Sequence, residues 1–294
     1  MAVRKAVIPA AGLGTRVLPA TKAVPKELLP LADKPTIQYV VEEAVASGIE
    51  QITFVTSRTK RALEDHFDEA PELRAALESK DSNDARARLA EIERPETLAS
   101  YAFVRQQRPL GLGHAVLCAR AIVGDEAFGV LLGDDLVDND AVPCLKQLIR
   151  AHERHGGCVL AVMRVPHEDV SRYGVVSLGE QVGPGLHRVM DLVEKPAVNE
   201  APSDLIVIGR YVLTPGIFAA LEQTQPGAGS EIQLTDGLRA LIQSGEPVYA
   251  CEFEGTRYDT GDPVGLLTTS IAYALKRPDL APGVIAYLKT LRLD

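Results

Sequence analysis

The 294-residue sequence predicts an α/β fold, with a mixed but mainly parallel central sheet flanked by helices and a smaller C-terminal β/helical elaboration. Two observations carry this. Apolar, β-rich runs alternate with helical patterns from the first residues, the pattern of strand–helix–strand units. After Pro166 the alternation gives way to short β runs separated by Gly and Pro, which suggests a mixed or antiparallel extension of the same sheet. The first part is the arrangement called Rossmann-like.

The elements follow in order. Lys5–Ala11 reads as the first strand. Residues 36–47 read as a helix, because Ile37, Val40, Val41, Ala44 and Val45 fall at i, i+3, i+4 spacing between Pro35 and Gly48. Residues 52–56 form the next strand, followed by a helix near 60–67. Residues 72–93 are polar with sparse leucines, as in an exposed helical insertion that could serve an oligomer contact. Strands are expected at 101–105, 128–132 and 159–165, with helices at 115–123 and 142–155 between them. The β runs after Pro166 are 174–178, 188–194 and 205–213. A helix at 232–244, a strand at 248–253 and two terminal helices complete the chain. No linker interrupts it, so residues 1–294 read as one domain.

Composition narrows the function. A net charge of −9 excludes wrapping a nucleic acid, which needs clustered Lys and Arg, but leaves room for a small phosphorylated substrate. No apolar run reaches the length of a membrane span. The four cysteines are dispersed without a CxxC pair and read as reduced thiols of a cytoplasmic protein.

Several segments carry candidate chemistry. PAAGLGTR at 9–16 follows the first strand, and its small residues let backbone N–H groups approach a phosphate or a base. It is neither a dinucleotide fingerprint, since Val17 stands where glycine is required, nor a P-loop. Gly12 and Gly14 alone do not separate a phosphate loop from an ordinary glycine turn. The continuation to Pro30 is stiffened by Pro19, Pro25 and Pro30, so Arg16 and Lys26 are held cations suited to a triphosphate.

LLGDD at 131–135 ends an apolar strand in two carboxylates, where open α/β sheets bind ligands. Asp134 or Asp135 could hold Mg²⁺, or could cap a turn. YDTGD at 258–262 offers a further carboxylate, Asp259, or a simple turn. In VEKP at 193–196, Lys195 could meet a second phosphate and Glu194 could accept sugar hydroxyls, although a surface ion pair is the plainer reading. In QQRPLGLGH at 106–114, the amides could read a base edge beside Gly111 and Gly113. His152, His155 and Cys158 straddle a helix end and make a poor metal set. No GxSxG nucleophile motif occurs.

These segments, with SRTKRALEDHFD at 57–68, GLGHAVLCA at 111–119, RYGVV at 172–176, IGRYVLTP at 208–215 and EIQLTD at 231–236, resemble the sugar-nucleotide pyrophosphorylases in order along nearly the whole chain. KAVPKELLP, GLGHA and EIQLTD favour the uridylyl branch over one using dTTP. The resemblance implies that UTP and α-glucose 1-phosphate give UDP-glucose and pyrophosphate by in-line attack at the α-phosphorus, with Mg²⁺ and no covalent intermediate. It implies a nucleotide-binding part over about 1–165 and a sugar-binding part over about 166–294. Ala11, Gly12, Gly14, Gln106 and Gly111 are the implied contacts to the nucleotide. Arg16 and Lys26 match the triphosphate cations, and Lys195 matches the lysine on the sugar phosphate. Glu194 and Gly174 match hexose contacts, while Gly209 and Glu231 lie in matched segments and join the substrate set. Asp134 and Asp259 match the Mg²⁺ carboxylates, with Asp135 a substitute or substrate contact. The family implies a homo-oligomer, dimer or tetramer. A non-catalytic nucleotide-sugar sensor on the same fold is the rival from another class, and a degenerate subunit should have lost some of these groups.

Overall fold

The computed structural model describes residues 2–80, 82–227 and 230–292. Strand β1 (Lys5–Pro9) leads into an irregular segment with three single 3₁₀ turns at Thr15–Val17, Ala20–Lys22 and Lys26–Leu28. A two-stranded ribbon of β2 (Pro30–Leu31) and β3 (Lys34–Pro35) then feeds helix α1 (Thr36–Ala46). Next come β4 (Gln51–Thr56), the short α2 (Arg61–Asp65), the paired helices α3 (Pro71–Glu78) and α4 (Asn83–Thr97), and β5 (Ser100–Arg105). Helices α5 (Leu112–Cys118) and α6 (Arg120–Val123) precede β6 (Phe128–Leu131), β7 (Asp135–Asp138) and α7 (Cys144–His155). Strands β8 (Cys158–Arg164), β9 (Gly174–Gly183), β10 (Leu186–Glu194) and β11 (Leu205–Leu213) follow. The chain closes with α8 (Gly216–Gln223), α9 (Leu234–Gln243), β12 (Val248–Glu252), β13 (Thr256–Asp259), α10 (Pro263–Lys276) and α11 (Ala281–Leu288).

Nine strands make one sheet in the order β5-β4-β1-β6-β11-β8-β12-β10-β9. β5, β4, β1 and β6 are parallel, β8 and β12 are parallel, and β11, β10 and β9 supply the antiparallel pairings. The chain runs from β1 outward through β4 to β5, then returns to β6 on the other side of β1. Strand order therefore reverses between β1 and β6, and the crevice beyond their carboxyl ends is where open α/β sheets take ligands. Residues 10–16 leave one of these ends and residues 132–135 the other.

Period-two alternation sorts the strand side chains onto two covered faces. Ala6, Ile8, Ile52, Phe54 and Leu131 join one core with Ile37 and Val40 of α1 and Leu145 and Leu148 of α7. Val7, Val55, Phe128 and Val130 join the other with Val116 of α5, Phe218 of α8 and Leu238 of α9. Among the described residues, no helix is long and apolar enough to cross a membrane.

Three departures from the sequence reading have local causes. The predicted helix over 115–123 is split at Ala119, and its amino end begins earlier, at Leu112 after Gly111 (φ 96°). The run read at 174–178 continues to Gly183: β9 and β10 form an antiparallel hairpin whose turn uses Gly185 at φ 63°. Tyr258 and Asp259 close β13, which pairs with β7 in a separate ribbon (Asp259 opposite Asp135, Tyr258 opposite Leu136), and the chain turns just after it, at Thr260–Gly261.

Candidate active site

The phosphate-loop residues and the end of β6 meet directly. Lys26, in the last 3₁₀ turn, places Nζ 2.6 Å from Asp134 Oδ2, and Arg16 Nη2 lies 3.7 Å from the same oxygen. The loop reaches this position because Gly14 takes a left-handed conformation (φ 67°) and its carbonyl accepts the Thr21 hydroxyl at 2.7 Å. A methyl group on Gly14 would stand 3.2 Å from Lys26 Cβ, so the turn packs against the lysine's own stem. Burial pushes the Asp134 carboxyl up, but Lys26 and Arg16 outweigh it and hold the group below the usual carboxylate range. Burial likewise opposes the Lys26 charge, and Asp134 and Glu27 more than offset it.

Beneath this pair lies one the sequence did not disclose. Glu27 and Lys60, 1% and 4% exposed, are joined at 2.6 Å, and among the described residues Glu27 Oε1 has no hydrogen-bond partner. Burial pushes the Glu27 carboxyl up against the pull of Lys60 and Lys26. The neighbouring residue of Lys26 is thus anchored in the interior, which fixes the backbone that carries the lysine.

Asp259 arrives from the β7–β13 ribbon. Its Oδ1 accepts the Gly261 N–H at 2.8 Å, while Thr260 donates its N–H and hydroxyl to the Asp134 carbonyl at 2.8 and 2.9 Å. A methyl group on Gly261 would lie 2.9 Å from Asp259 Oδ1, 3.0 Å from Asp134 Oδ2 and 2.6 Å from Arg16 Nη2. The two carboxylates therefore converge on one small space that only glycine leaves open. Two hard oxygen donors facing one gap can hold a small divalent cation.

Asp135 is not brought to that space. Its oxygens accept Arg257 Nε at 2.7 Å and the Gly209 N–H at 2.8 Å, and the residue is 5% exposed. This corrects its reading as a substitute metal ligand or substrate contact, because Asp135 opens β7 and is held there by Arg257 and Gly209, whereas Asp134 stands in the turn before the strand, against Lys26 and Arg16. Gly209 is corrected with it. Its N–H serves Asp135, its carbonyl accepts Leu132 N–H, and an added methyl would meet Leu132 and Asp135 at 2.8 and 2.9 Å.

A second group lies where β9 and β10 begin and end, Gly174 paired with Glu194. Glu194 accepts the Thr235 hydroxyl at 2.7 Å and stands 3.5 Å from Lys195 Nζ. Lys195 is left-handed (φ 46°), a conformation costing on the order of 1–3 kcal/mol for a non-glycine residue. Its N–H is fixed by the Tyr173 carbonyl at 3.0 Å, which aims a half-exposed ammonium outward. A methyl on Gly174 would touch Glu194 Oε2 and Thr235 Oγ1 at 3.3 and 3.4 Å, so glycine leaves this pair accessible. The Tyr173 ring also lies 5.4 Å from the Arg257 guanidinium, which links this group to Asp259.

At the ends of β1, β4 and β5 the third group gathers. Ala11 is buried, and a methyl on Gly12 would meet nothing within 4 Å, so its Cα faces open space. Gln106, 7% exposed, donates through Nε2 to the Gly111 carbonyl at 2.9 Å and to His114 Nδ1 at 3.0 Å. Burial lowers the His114 pKa, which favours the neutral ring able to accept there. Among the described residues nothing occupies Gln106 Oε1. Gly111 (φ 96°) stands against Glu231: an added methyl would be 2.7 Å from Glu231 Cβ and 2.8 Å from the Ile232 carbonyl. Gly111→Ala is therefore expected to destabilise the protein by about 2 kcal/mol, lowering the melting temperature by about 4 °C. An unchanged melt would show that the loop yields without cost.

Sequence reasoning missed Glu27, Lys60, Thr235, Tyr173 and Arg257. For Arg257 a signal existed, since it stands two residues before Asp259 and strand periodicity puts both on one face. Nothing local marks Lys60 as buried.

This geometry has close counterparts. The nucleotidyl transferase family model matches residues 5–275. UTP–glucose-1-phosphate uridylyltransferase of Streptococcus pneumoniae is 53% identical over 289 residues, covering 97% of this chain and 95% of that protein. A solved structure of UTP-bound UGPase from Acinetobacter baumannii superimposes with a TM-score of 0.90 at 41% identity, covering 99% of this chain and 100% of that one. UDP-glucose pyrophosphorylase complexed with UDP-glucose gives a TM-score of 0.85 at 42% identity over 94% of this chain and 100% of that one. On that extent of agreement in sequence and in fold, the chain belongs to the nucleotidyl transferase family, among its sugar-nucleotide pyrophosphorylases.

Proposed function

We propose that this protein is a UTP–glucose-1-phosphate uridylyltransferase, forming UDP-glucose and pyrophosphate. The observation that carries the reading is the convergence of Arg16, Lys26, Asp134 and Asp259 on one gap at the strand-order reversal. A lysine beside a sugar-type carboxylate, Lys195 and Glu194, completes it through Tyr173 and Arg257.

In this reading Gln106 Oε1, left free as an acceptor, takes the N3–H of uracil; cytosine, which offers an acceptor there, is rejected. Ala11 and Gly12 let the base and ribose approach the backbone, and Gly111 and Glu231 close the far side. Arg16 and Lys26 neutralise the β- and γ-phosphates. Lys195 holds the sugar phosphate so that its oxygen faces the α-phosphorus opposite the departing pyrophosphate. Glu194 accepts hexose hydroxyls beside Gly174. One oxygen–phosphorus bond forms as the other breaks, and positioning and charge neutralisation supply the catalysis. The Asp134 and Asp259 oxygens fit Mg²⁺, which would draw charge from the reacting phosphates when bound. The cytoplasm suits its four unpaired cysteines, and exposed Val264, Leu267 and Tyr287 on α10 and α11 support a homo-oligomer. The 1–165 and 166–294 parts act as one unit because strands from both build the nine-stranded sheet.

The test is pyrophosphate release from UTP, dTTP, CTP and ATP, each with glucose 1-phosphate and Mg²⁺. UTP is expected to give the highest kcat/KM, with CTP at least ~10²-fold lower. A strong preference for dTTP would move the protein to a sister activity. Binding of UDP-glucose without any pyrophosphate release would make it a sensor.

A further inference from the structure

We propose that Arg257 is a positioning residue for the transfer reaction, one that sets the orientation of Asp259 towards the divalent cation. This rests on the function proposed above, because it presumes that Asp134 and Asp259 share that cation.

The argument starts from the ribbon. Arg257 and Asp259 lie two residues apart on β13, so their side chains leave the same face, and Asp135 of β7 sits opposite Asp259. Arg257 divides its guanidinium between these two carboxylates. Nε donates to Asp135 Oδ1 at 2.7 Å and Nη2 donates to Asp259 Oδ2 at 3.3 Å. The planar fork of an arginine can hold two carboxylates at a fixed angle, which a lysine ammonium cannot. The second bond to Asp259 comes from the Gly261 N–H, on Oδ1. Each oxygen thus accepts one hydrogen bond, and Oδ1 still borders the gap shared with Asp134 Oδ2.

What makes Arg257 an anchor is the rigidity behind it. Asp135 Oδ2 accepts the Gly209 N–H on β11. The next residue, Arg210, is fully buried and donates to Glu43 of α1 from Nε at 3.1 and 3.0 Å and from Nη2 at 2.7 Å. Arg210 Nη1 also donates to the Gly209 carbonyl at 2.9 Å. Glu43 in turn accepts the Leu145 N–H at the start of α7 at 3.1 Å. A continuous run of charge-assisted bonds therefore joins the helix layer, through the sheet, to the rim of the site. Such bonds are short and directional, and a side chain held at their end has little freedom. The Arg257–Asp259 contact is part-buried, its side chains 13% and 26% exposed, and at 3.3 Å it is the longer of the two that Arg257 makes to carboxylates. Its consequence is orientation: partners that hold a metal's ligands typically set affinity by about 10- to 100-fold.

The experiment compares wild type with Arg257→Lys and Arg257→Gln in the full-length protein. Mn²⁺ binding in the presence of UTP is followed by the electron paramagnetic resonance signal of free Mn²⁺, beside kinetic titrations with Mg²⁺. In both variants the Mn²⁺ Kd is expected to weaken about 10-fold, and the Mg²⁺ concentration for half-maximal pyrophosphate release to rise by a similar factor. The kcat at saturating Mg²⁺ should stay within about threefold, and UTP affinity measured in EDTA should not change. A kcat loss at unaltered Mn²⁺ affinity overturns the role, as does native Mn²⁺ affinity in a folded variant. Failure of both variants to fold assigns Arg257 to the stability of the ribbon and overturns it too. Wild-type protein that binds Mn²⁺ with UTP but releases no pyrophosphate would instead overturn the proposed activity, and the Mn²⁺ comparison would still decide Arg257.

Discussion

Lys195→Ala is expected to lower kcat/KM for glucose 1-phosphate by about 10²–10³-fold while leaving the protein folded. The reason for the large kinetic effect is that Lys195 is the cation of the second group, aimed outward by a left-handed backbone and the Tyr173 carbonyl. The small structural effect follows from its surroundings. The side chain is 56% exposed and its ion pair with Glu194 is 3.5 Å long, an interaction that contributes about 0–1 kcal/mol at a surface. Lys195→Gly sharpens the point. Glycine occupies φ 46° without steric cost, so this variant should melt at or above the wild-type temperature and still be inactive. The measurement is initial-rate kinetics beside a circular-dichroism melt. Near-wild-type turnover with a native melt would remove Lys195 from the phosphate role.

The second large effect is expected at Asp134. Asp134→Asn keeps the shape of the side chain but removes one of two charges facing the gap and the counterion of Lys26 and Arg16. Losing a metal carboxylate from a site that relies on charge neutralisation should lower kcat by about 10³-fold. A lowered Lys26 pKa should accompany it, because burial then acts on that ammonium without its main compensation. Asp135→Asn, one residue away, should behave differently. It loosens the Arg257 and Gly209 contacts and should reduce stability before it reduces chemistry. Kinetics at rising Mg²⁺ for the two variants separates them; equal behaviour would mean that the strand does not divide their roles.

Much of the site was legible because its residues announce themselves locally. Asp134 ends an apolar strand, and Gly12, Gly14, Arg16 and Lys26 share one proline-stiffened loop, so residue type and strand ends were sufficient. The Asp135 reading failed because adjacent carboxylates look alike in sequence, whereas the fold leaves Asp134 in a turn and takes Asp135 into β7, where Arg257 and Gly209 hold it. Beside Asp259 on one strand face Arg257 left a signal, but its other partner, Asp135, is set only by pairing β7 with β13. Glu27 and Lys60 looked like ordinary surface charges, since sequence does not show that α2 presses Lys60 down onto the phosphate loop. The lengths of β9 and β10 were lost for a simpler reason: their outward positions are polar, and glycines near the turn interrupted the pattern.

The Lys26–Asp134 contact has one more consequence. With Lys26 and Arg16 already drawn onto the Asp134 carboxylate, part of their attraction for a bare anion such as sulfate or free phosphate is offset. An anion entering alone would draw Lys26 away and leave Asp134 as a poorly solvated, uncompensated charge. An anion that brings its own divalent cation can exchange partners with both at once, Lys26 turning to a phosphate oxygen while the cation takes its place at Asp134. On the proposed function, the pair therefore favours the cation-bound nucleotide over the free one before its base or sugar is read.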